Sequence, residues 1–217
     1  MTTLLALDIG GTKVGWGIIE AGDRYEVTER GSIPTDAMRG GADVAARICE
    51  LASSLVASHP SVSGVAVASA GVVNPVTGDI VSATGTMPGW GGTRLGAQLE
   101  AATGLRVRVL NDVHAHGLGE ATLGAGQPYR IVLSIAVGTG LGGALVEDGR
   151  VAFGSRGIAG HVGHIPTTTF APGHRRARAV ARVTSNPSAR DRASRPGTNR
   201  CAASPTPRWT ADAPCKS

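Results

Sequence analysis

Residues 4–20 read LLALDIGGTKVGWGIIE, and residues 131–147 repeat the same layout as IVLSIAVGTGLGGALVE. Each copy consists of two runs rich in Leu, Ile and Val on either side of a glycine-rich break, a pattern typical of two strands joined by a hairpin turn. The repeat therefore indicates a pair of related β-hairpins. The predicted strands span residues 4–9, 13–19, 131–137 and 141–147.

Between the two hairpins, helical and strand patterns alternate. Val44, Ile48, Leu51 and Leu55 recur at helical spacing and predict an amphipathic helix over residues 42–58. Strands that alternate with helices in this way predict an α/β fold. The other predicted elements are a strand over 64–71, a helix around Leu95 and Leu99 that ends at Gly104, and a strand over 107–110.

The composition is that of a globular protein, with 217 residues of which 41% are hydrophobic. No stretch approaches the roughly 20 apolar residues that a membrane span needs, and no basic segment precedes the apolar start. Cys49, Cys201 and Cys215 are scattered and odd in number, which argues for reduced thiols. We therefore expect a cytoplasmic protein with no signal peptide and no membrane partner.

The net charge of +5 resides in the C-terminal tail. Residues 1–170 contain 11 Lys and Arg against 14 Asp and Glu, whereas residues 171–217 contain 10 against 2. The tail also contains 10 Ala, 9 Arg and 6 Pro but no Leu, Ile or Phe, so it can form no apolar core face. It has no helical or aromatic pattern either, so no specific nucleic-acid partner is expected.

Glycine-rich turns can bind phosphate. A turn between two strands has no helix N-terminus to offer, so phosphate would be held by converging backbone N–H groups, assisted by the hydroxyls of Thr12 and Thr139. The alternative is two ordinary tight hairpins. Two copies of one construction, the first preceded by the carboxylate of Asp8, favour a nucleotide site.

Two acidic residues lie at strand ends. Asp8 stands in an otherwise apolar strand, where burial is costly without a cation or several donors, so we expect a magnesium ion bound through water there. The alternative is a carboxylate that accepts backbone hydrogen bonds from the adjacent turn. Asp112 follows a strand at the end where open α/β sheets bind ligands, and it could accept the proton of an attacking sugar hydroxyl.

Two alternatives remain open around these polar residues. Asn111 can donate to and accept from sugar hydroxyls, but Asn111-Asp112 could equally be a strand-to-helix junction in which Asp112 caps a helix that begins near Val113. His161 and His164 are three residues apart and share a face if helical, which suits a metal or a polyhydroxylated ligand. Partly buried histidines bonded to the backbone would explain that spacing equally well.

Four motifs in order make the sequence resemble the ROK family of sugar kinases and repressors, within the actin-like ATPase superfamily. The motifs are DIGGTK (8–13), MPGW (87–90), LND (110–112) and GTGLGG (138–143). The resemblance implies an actin-like, ribonuclease H-like fold of two duplicated lobes, with ATP held between their two hairpins. The expected segments are a complete first lobe (1–120), the start of a second lobe (121–170) and a basic, disordered tail (171–217).

The resemblance also implies residue roles: Asp112 is the catalytic base, Asp8 holds magnesium through water, and His164 contacts sugar and ligates zinc. His161 resembles N-acetylmannosamine kinases, since many glucokinases have Glu there, and Thr86 replaces the family's Asn. The implied ATP-binding residues are Asp8, Ile9, Gly10, Gly11, Thr12, Lys13, Gly138, Thr139, Gly140, Leu141, Gly142 and Gly143. The implied sugar-binding residues are Thr86, Asn111, Asp112, His161 and His164.

The sequence departs from the family after residue 170. The family continues with C-x-C-G-x-x-G-C, which completes the zinc site, and then with most of the second lobe and its dimer surface. Residues 171–217 contain no such motif, and their bias resembles a GC-rich gene read out of frame. We therefore expect neither zinc nor the family's homodimer, and we expect the hairpin at 131–147 to expose apolar surface.

The expected function is an ATP-dependent sugar kinase that uses Mg²⁺ and phosphorylates glucose or N-acetylmannosamine. One alternative is a noncatalytic sugar- or nucleotide-binding fragment, since a chain without its second lobe is expected not to turn over. The other is a ROK-type regulator that lacks its DNA-binding domain. Repressors of the family place a helix-turn-helix before the DIGGT segment, and seven residues precede Asp8.

Overall fold

The computed structural model describes residues 1–137, 141–155, 157, 159–160 and 162–164. It contains three helices, α1 (Gly41–Ser58), α2 (Leu95–Thr103) and α3 (Asp112–Thr122). The strands of the first half are β1 (Thr2–Ile9), β2 (Lys13–Ala21), β3 (Tyr25–Pro34), β4 (Val62–Ser69), β5 (Val72–Val73), β6 (Ile80–Ser82) and β7 (Arg106–Asn111). Those of the second half are β8 (Ile131–Val137), β9 (Leu141–Glu147) and β10 (Arg150–Val151), and single 3₁₀ turns lie at Ala37–Arg39 and Val162–His164.

The main sheet has five strands in the order β3-β2-β1-β4-β7. β1, β2 and β3 are antiparallel neighbours, whereas β1, β4 and β7 are parallel. The register aligns Asp8 with Ala68 and Ala68 with Leu110, so the carboxyl ends of the three parallel strands lie at one edge. This arrangement confirms the predicted α/β fold and places Asp8 and the end of β7 at the edge where open α/β sheets commonly bind ligands.

The hydrophobic core lies between this sheet and the helices α1 and α2. Alternate residues of β1, namely Leu5, Leu7 and Ile9, are buried, as are Val44 and Ile48 on α1. These are the period-2 and period-3.6 faces that the sequence predicts. Within the described ranges, no helix is long and apolar enough to cross a membrane.

The predicted elements form within a few residues of their expected bounds, and Gly104 ends α2 in the left-handed conformation (φ 70°). β3 was not predicted. Its residues are nearly all exposed and include Glu26, Glu29 and Arg30, so its sequence has no buried face to reveal it. β5, β6 and β10 were also missed, because strands of two or three residues are too short to show a period.

The second sheet has the order β10-β9-β8 and packs one face against α3. A Cβ atom on Gly117 of α3 would lie 2.5 Å from that of Ala144, so glycine is needed for this close approach. On the other face, four side chains of β8 are more than half exposed, as the sequence predicts for this hairpin. They are Ile131, Leu133, Ile135 and Val137.

β8 is also the one edge strand of the described sheets that is both long and uncharged. The edges of the main sheet carry charges, Glu29 and Arg30 on β3 and Arg106 and Arg108 on β7, and β10 has only two residues. Charged or short edge strands resist pairing with other chains, whereas an exposed apolar edge promotes it. β8 is therefore the expected site of self-association.

We predict that Leu133→Lys lowers self-association, because a charge on the exposed face of β8 opposes strand pairing. Light scattering at increasing protein concentration measures the effect. Val27→Lys is the matched control, since Val27 is similarly exposed on β3, an edge that is already charged. Equal association of the two variants and the unmodified chain would exclude β8 as the contact.

The end of α1 is tied to β3 through His59. Its Nδ1 lies 2.8 Å from the carbonyl oxygen of Leu55, and its Nε2 lies 2.8 Å from Oε2 of Glu29. Both neighbours are acceptors, so both nitrogens donate only when the ring is protonated. The hydrogen bond to Leu55 and the contact with Glu29 accordingly raise the pKa of His59.

We predict that Glu29→Gln destabilises the fold at pH 6 and has no effect at pH 9. Because the pKa of folded His59 is raised, its contribution is fully present below about pH 6.5, the unfolded value, and is lost as the pH rises through the folded value. Thermal unfolding at the two pH values measures this difference. Glu26→Gln on the same strand is the control, and an equal loss at both pH values would contradict the assignment.

Candidate active site

The main sheet brings the two predicted acids together. Asp8 is the penultimate residue of β1, and Asp112 is the first residue of α3, directly after β7. Since β1 and β7 flank β4 in parallel register, both carboxylates lie at the same edge of the sheet. The negative charge of Asp8 is close enough to raise the pKa of Asp112.

One oxygen of the Asp112 carboxylate accepts hydrogen bonds from the protein. Its Oδ1 accepts hydrogen bonds from the backbone N–H of Val113 and from Nδ2 of Asn111, both at 2.9 Å, whereas Oδ2 has no such partner within the described ranges. Although Asp112 borders solvent, the protein atoms around it desolvate the carboxylate. Desolvation is the largest cause of its raised pKa, the charge of Asp8 adds to it, and the hydrogen bonds oppose it.

Asn111 is the N-cap of α3, which corrects the alternative that gave this role to Asp112. Its Oδ1 accepts hydrogen bonds from the N–H groups of Val113 and His114 at 3.1 and 3.4 Å. Its Nδ2 donates to the carbonyl oxygen of Gly71 at 2.7 Å and to Asp112. All four hydrogen-bonding positions of this buried amide are therefore used inside the protein.

Asp8 differs from the expectation that it is buried. Its side chain is exposed, on the face of the main sheet opposite α1, and it lies beside Gly15. Within the described ranges it accepts no hydrogen bond from the adjacent turn, which removes the structural alternative for this part of the chain. Two neighbouring carboxylates, one of them without a donor, suit a cation such as Mg²⁺ that prefers oxygen ligands.

The first glycine turn presents free backbone donors. The N–H of Gly10 donates to the carbonyl oxygen of Lys13 at 3.0 Å, whereas the N–H groups of Gly11 and Thr12 have no acceptor in the part of the chain that is described. Neither glycine has a positive φ, and a Cβ atom on Gly11 would have no neighbour closer than 3.9 Å. The folded chain alone does not require glycine at Gly11, so close approach of a ligand is a sufficient reason for it.

Thr35 supports this turn and was missed in the sequence. Its hydroxyl donates to the carbonyl oxygen of Gly10 at 2.6 Å, and its backbone N–H donates to that of Thr12 at 3.1 Å. Thr35 is buried, and its own carbonyl oxygen accepts from Arg47 on α1 at 2.9 Å. Thr35 lies 23 residues after the turn, and no local sequence pattern marks it as a partner of the turn. Only the pairing of β2 with β3 brings it next to the turn.

The MPGW segment is anchored in the core. Met87 and Trp90 are buried, and the indole N–H of Trp90 donates to the carbonyl oxygen of Ala70 at 3.2 Å. The neighbouring Thr86 is exposed and shares a hydrogen bond of 2.7 Å with the hydroxyl of Thr84. A Cβ atom on Gly11 would lie 3.9 Å from Thr86, so the predicted sugar loop and the first glycine turn are adjacent.

A cavity of about 290 Å³ lies beside these residues. Its walls come from the segment after β4, from the loop before MPGW, from the β7–α3 junction and from β9. The lining residues are Gly71, Val72, Ser82, Ala83, Thr84, Asn111, Val113, Leu141 and Gly142. Both halves of the chain thus contribute to one small-molecule-sized cavity.

The second glycine motif is partly described. A Cβ atom on Gly142 would lie 2.5 Å from Val113 of α3, and one on Gly143 would lie 2.6 Å from the carbonyl oxygen of Gly160, so packing alone requires these two glycines. Gly138, Thr139, Gly140 and His161 lie outside the described residues, as does the side chain of His164. Among the described residues, no cluster of three or more His, Cys, Asp or Glu could hold a metal.

The fold is that of an α/β protein, with a candidate ligand site at the carboxyl edge of its main sheet. Its sequence matches the ROK family over residues 4–193, and the chain belongs to this family. The glucokinase of Halalkalibacterium halodurans is 34% identical over 165 residues, which are 74% of this chain and 49% of that protein.

Solved structures show the same architecture. The ROK hexokinase of Thermus thermophilus has 30% sequence identity and a TM-score of 0.67 over 82% of this chain and 57% of its own. The ROK family glucokinase of Streptomyces griseus was solved with glucose and AMPPNP. It has 29% sequence identity and a TM-score of 0.64 over 75% of this chain and 50% of its own. The chain therefore has the actin-like ATPase fold of this family and spans about half the length of these relatives.

We predict that Asp112→Asn raises the melting temperature at pH 7, because it removes a desolvated charge beside Asp8. The raised pKa of folded Asp112 means that its ionisation costs stability. That cost is full above the folded pKa and vanishes below the unfolded value of about 3.9. The gain, measured by thermal unfolding, should therefore shrink as the pH falls towards 4.

Asp23→Asn, in the exposed turn between β2 and β3, is the control for this measurement. A gain for Asp112→Asn that does not change with pH would mean that the charge of Asp112 is not its cause.

Proposed function

We propose that this chain carries the catalytic base, the sugar cavity and the first phosphate turn of an ATP-dependent sugar kinase. The reaction is transfer of the γ-phosphoryl group of ATP to a hydroxyl of a hexose or N-acylhexosamine. The observation that carries the proposal is Asp112, a desolvated carboxylate with one unengaged oxygen beside a second carboxylate, at the edge of a sheet next to a cavity.

Asp112 would act as the general base. As the sugar hydroxyl attacks the γ-phosphorus, its proton passes to Oδ2 of Asp112, the oxygen without a protein partner in the described part. Desolvation raises the pKa of this carboxylate and so increases its affinity for the proton. All four hydrogen bonds of the Asn111 amide are made within the protein, and one of them orients Asp112. We therefore assign Asn111 a positioning role rather than the direct sugar contact that the resemblance implies.

The first glycine turn would bind the phosphates. The N–H groups of Gly11 and Thr12 are available as donors, and the absent side chain of Gly11 leaves space for phosphate oxygens. Asp8 would hold Mg²⁺ through water molecules, and the ion would neutralise charge on the transferring group. The corresponding roles of Gly138, Thr139 and Gly140 rest on the family resemblance alone.

The sugar is proposed as glucose or N-acetylmannosamine. Glucose is supported by the glucokinases among the relatives, one of which was solved with glucose bound. N-acetylmannosamine is supported by His161 and by Thr86, two positions where the sequence departs from the glucokinase pattern. Absence of zinc and of a homodimer stays a prediction, because both depend on residues outside the described part.

A noncatalytic sugar- or nucleotide-binding fragment is the second candidate. It is favoured by the described residues, since they form the cavity and the first glycine turn, whereas the second phosphate turn rests on the family resemblance alone. Binding without turnover would distinguish it from the kinase. A regulatory role has no specific observation in its favour within the described residues.

The test measures sugar binding by calorimetry and ADP formation with ATP, Mg²⁺ and either glucose or N-acetylmannosamine. We expect Asp112→Asn to lower kcat by about 10²- to 10⁴-fold and to change sugar affinity little, because the proton acceptor is lost while the shape is kept. Asp8→Ala should instead weaken the use of magnesium-ATP, and Asp23→Asn should change neither. An unchanged kcat in Asp112→Asn would overturn the assignment of the base.

If this chain binds sugar without turnover, the same variants belong in a version that includes a complete second lobe. Binding of neither sugar nor ATP by either protein would contradict both candidate functions.

A further inference from the structure

His114 lies two residues after Asp112, in the first turn of α3, and is 1% exposed. A fully buried histidine is unusual unless its polar atoms are bonded. No role for it follows from the four sequence motifs, and it does not line the cavity.

The imidazole of His114 reaches into the second half of the chain. Its Nε2 lies 3.2 Å from the carbonyl oxygen of Ala159, an acceptor, so Nε2 carries the hydrogen and donates it. Its ring meets that of Phe153 edge to face, with centroids 5.5 Å apart and planes at 80°. Such aromatic pairs add to the stabilisation from burial alone.

Phe153 and Ala159 are the two ends of one turn. The backbone N–H of Ala159 donates to the carbonyl oxygen of Phe153 at 3.0 Å, so the single side chain of His114 contacts the turn where it closes. The turn is also held closely against β9, since a Cβ atom on Gly160 would lie 2.5 Å from the backbone nitrogen of Leu145. The two described ends of the turn are therefore held between α3 and β9.

The contacts of His114 lead to predicted site residues in both halves of the chain. On one side, the backbone N–H of His114 donates to Oδ1 of Asn111, which bonds Asp112. On the other side, Gly160 leads directly into the 3₁₀ turn Val162–His164, next to His161, the segment to which the family resemblance assigns sugar contacts. His114 thus contacts Asn111, which bonds the proposed base, through its backbone, and the turn that precedes Val162–His164 through its side chain.

We propose that His114 is a positioning residue that holds the closure of the Phe153–Ala159 turn, and with it the 3₁₀ turn Val162–His164, in place relative to Asp112. The positioning of sugar rests on the proposed function, whereas the attachment of the turn does not. The Nε2 donor can be tested by itself, since the ring contact with Phe153 would persist in a phenylalanine.

The first experiment measures hydrogen exchange of the unliganded full chain, followed by mass spectrometry of peptides that cover residues 153–160. His114→Phe keeps the ring and removes the donor, so exchange in these peptides should rise by roughly tenfold, the expected effect of one lost hydrogen bond. His114→Gln places an amide N–H near the position of Nε2 and should restore most of the protection. His116→Phe is the control, because His116 is exposed on the same helix.

The second experiment measures binding of glucose and of N-acetylmannosamine by calorimetry. His114→Phe should weaken the bound sugar by several-fold, His114→Gln should recover the affinity, and His116→Phe should leave it unchanged. Thermal unfolding of each variant verifies that the fold is kept. Where a complete second lobe gives turnover, the Michaelis constant for sugar should rise more than kcat falls.

The outcomes separate the two proposals. Binding of neither sugar by the unmodified chain counts against the proposed function, and hydrogen exchange still tests the attachment by His114. Unchanged exchange at 153–160 in His114→Phe overturns the inference, as does faster exchange that His114→Gln fails to reduce. Altered exchange with unaltered sugar affinity overturns the positioning of sugar and leaves His114 a purely structural contact.

Discussion

The site depends on the side-chain amide of Asn111. At this residue β7 ends and α3 begins, and the four hydrogen bonds of one amide hold the junction together. Two of them satisfy N–H groups in the first turn of α3, which have no partner within the helix. The third bond, to Gly71, fixes the segment after β4, and the fourth fixes the carboxylate of Asp112. The amide that caps the helix is thus the same group that orients the proposed base.

The same junction contains an unfavourable interaction between two carboxylates. Asp8 and Asp112 are brought together by the parallel register of β1, β4 and β7, which the core residues on the opposite face of the sheet enforce. Hydrogen bonds to Asp112 compensate in part for its desolvation and for the charge of Asp8, yet its pKa remains raised. Sites that bind cations or accept protons commonly retain such strain, because the ligand or proton relieves it.

Much of the fold could be predicted from periodicity. The strands of both hairpins, α1, α2 and β7 have a buried face, and that face shows in the sequence as period 2 or period 3.6. β3 could not be predicted in this way, because it pairs with β2 through its backbone and buries little. Its presence has a consequence for the site, since the chain that leaves β3 delivers Thr35 to the first glycine turn.

The positions of the two proposed site acids could be predicted better than their bonding. Asp8 and Asp112 stand out as acids at the ends of apolar strands, and the structure places them together. That Asn111 is fully occupied as a cap, that Asp8 is exposed and that His114 reaches Ala159 all depend on contacts between residues distant in sequence. No local pattern encodes such contacts, since they are fixed only when the two halves of the chain pack together.

The duplicated hairpins also show why one glycine motif does not imply one role. In the first hairpin, Gly11 has free space around its missing side chain and a backbone N–H without an acceptor in the described part. In the second, Gly142 and Gly143 are required by the approach of Val113 and of the Gly160 backbone. Glycine therefore leaves room for a ligand in one copy and for the protein itself in the described part of the other. Because α3 packs against the second hairpin at Gly142, the helix that begins with Asp112 is held by both halves of the chain, and any shift of the second hairpin would move the proposed base.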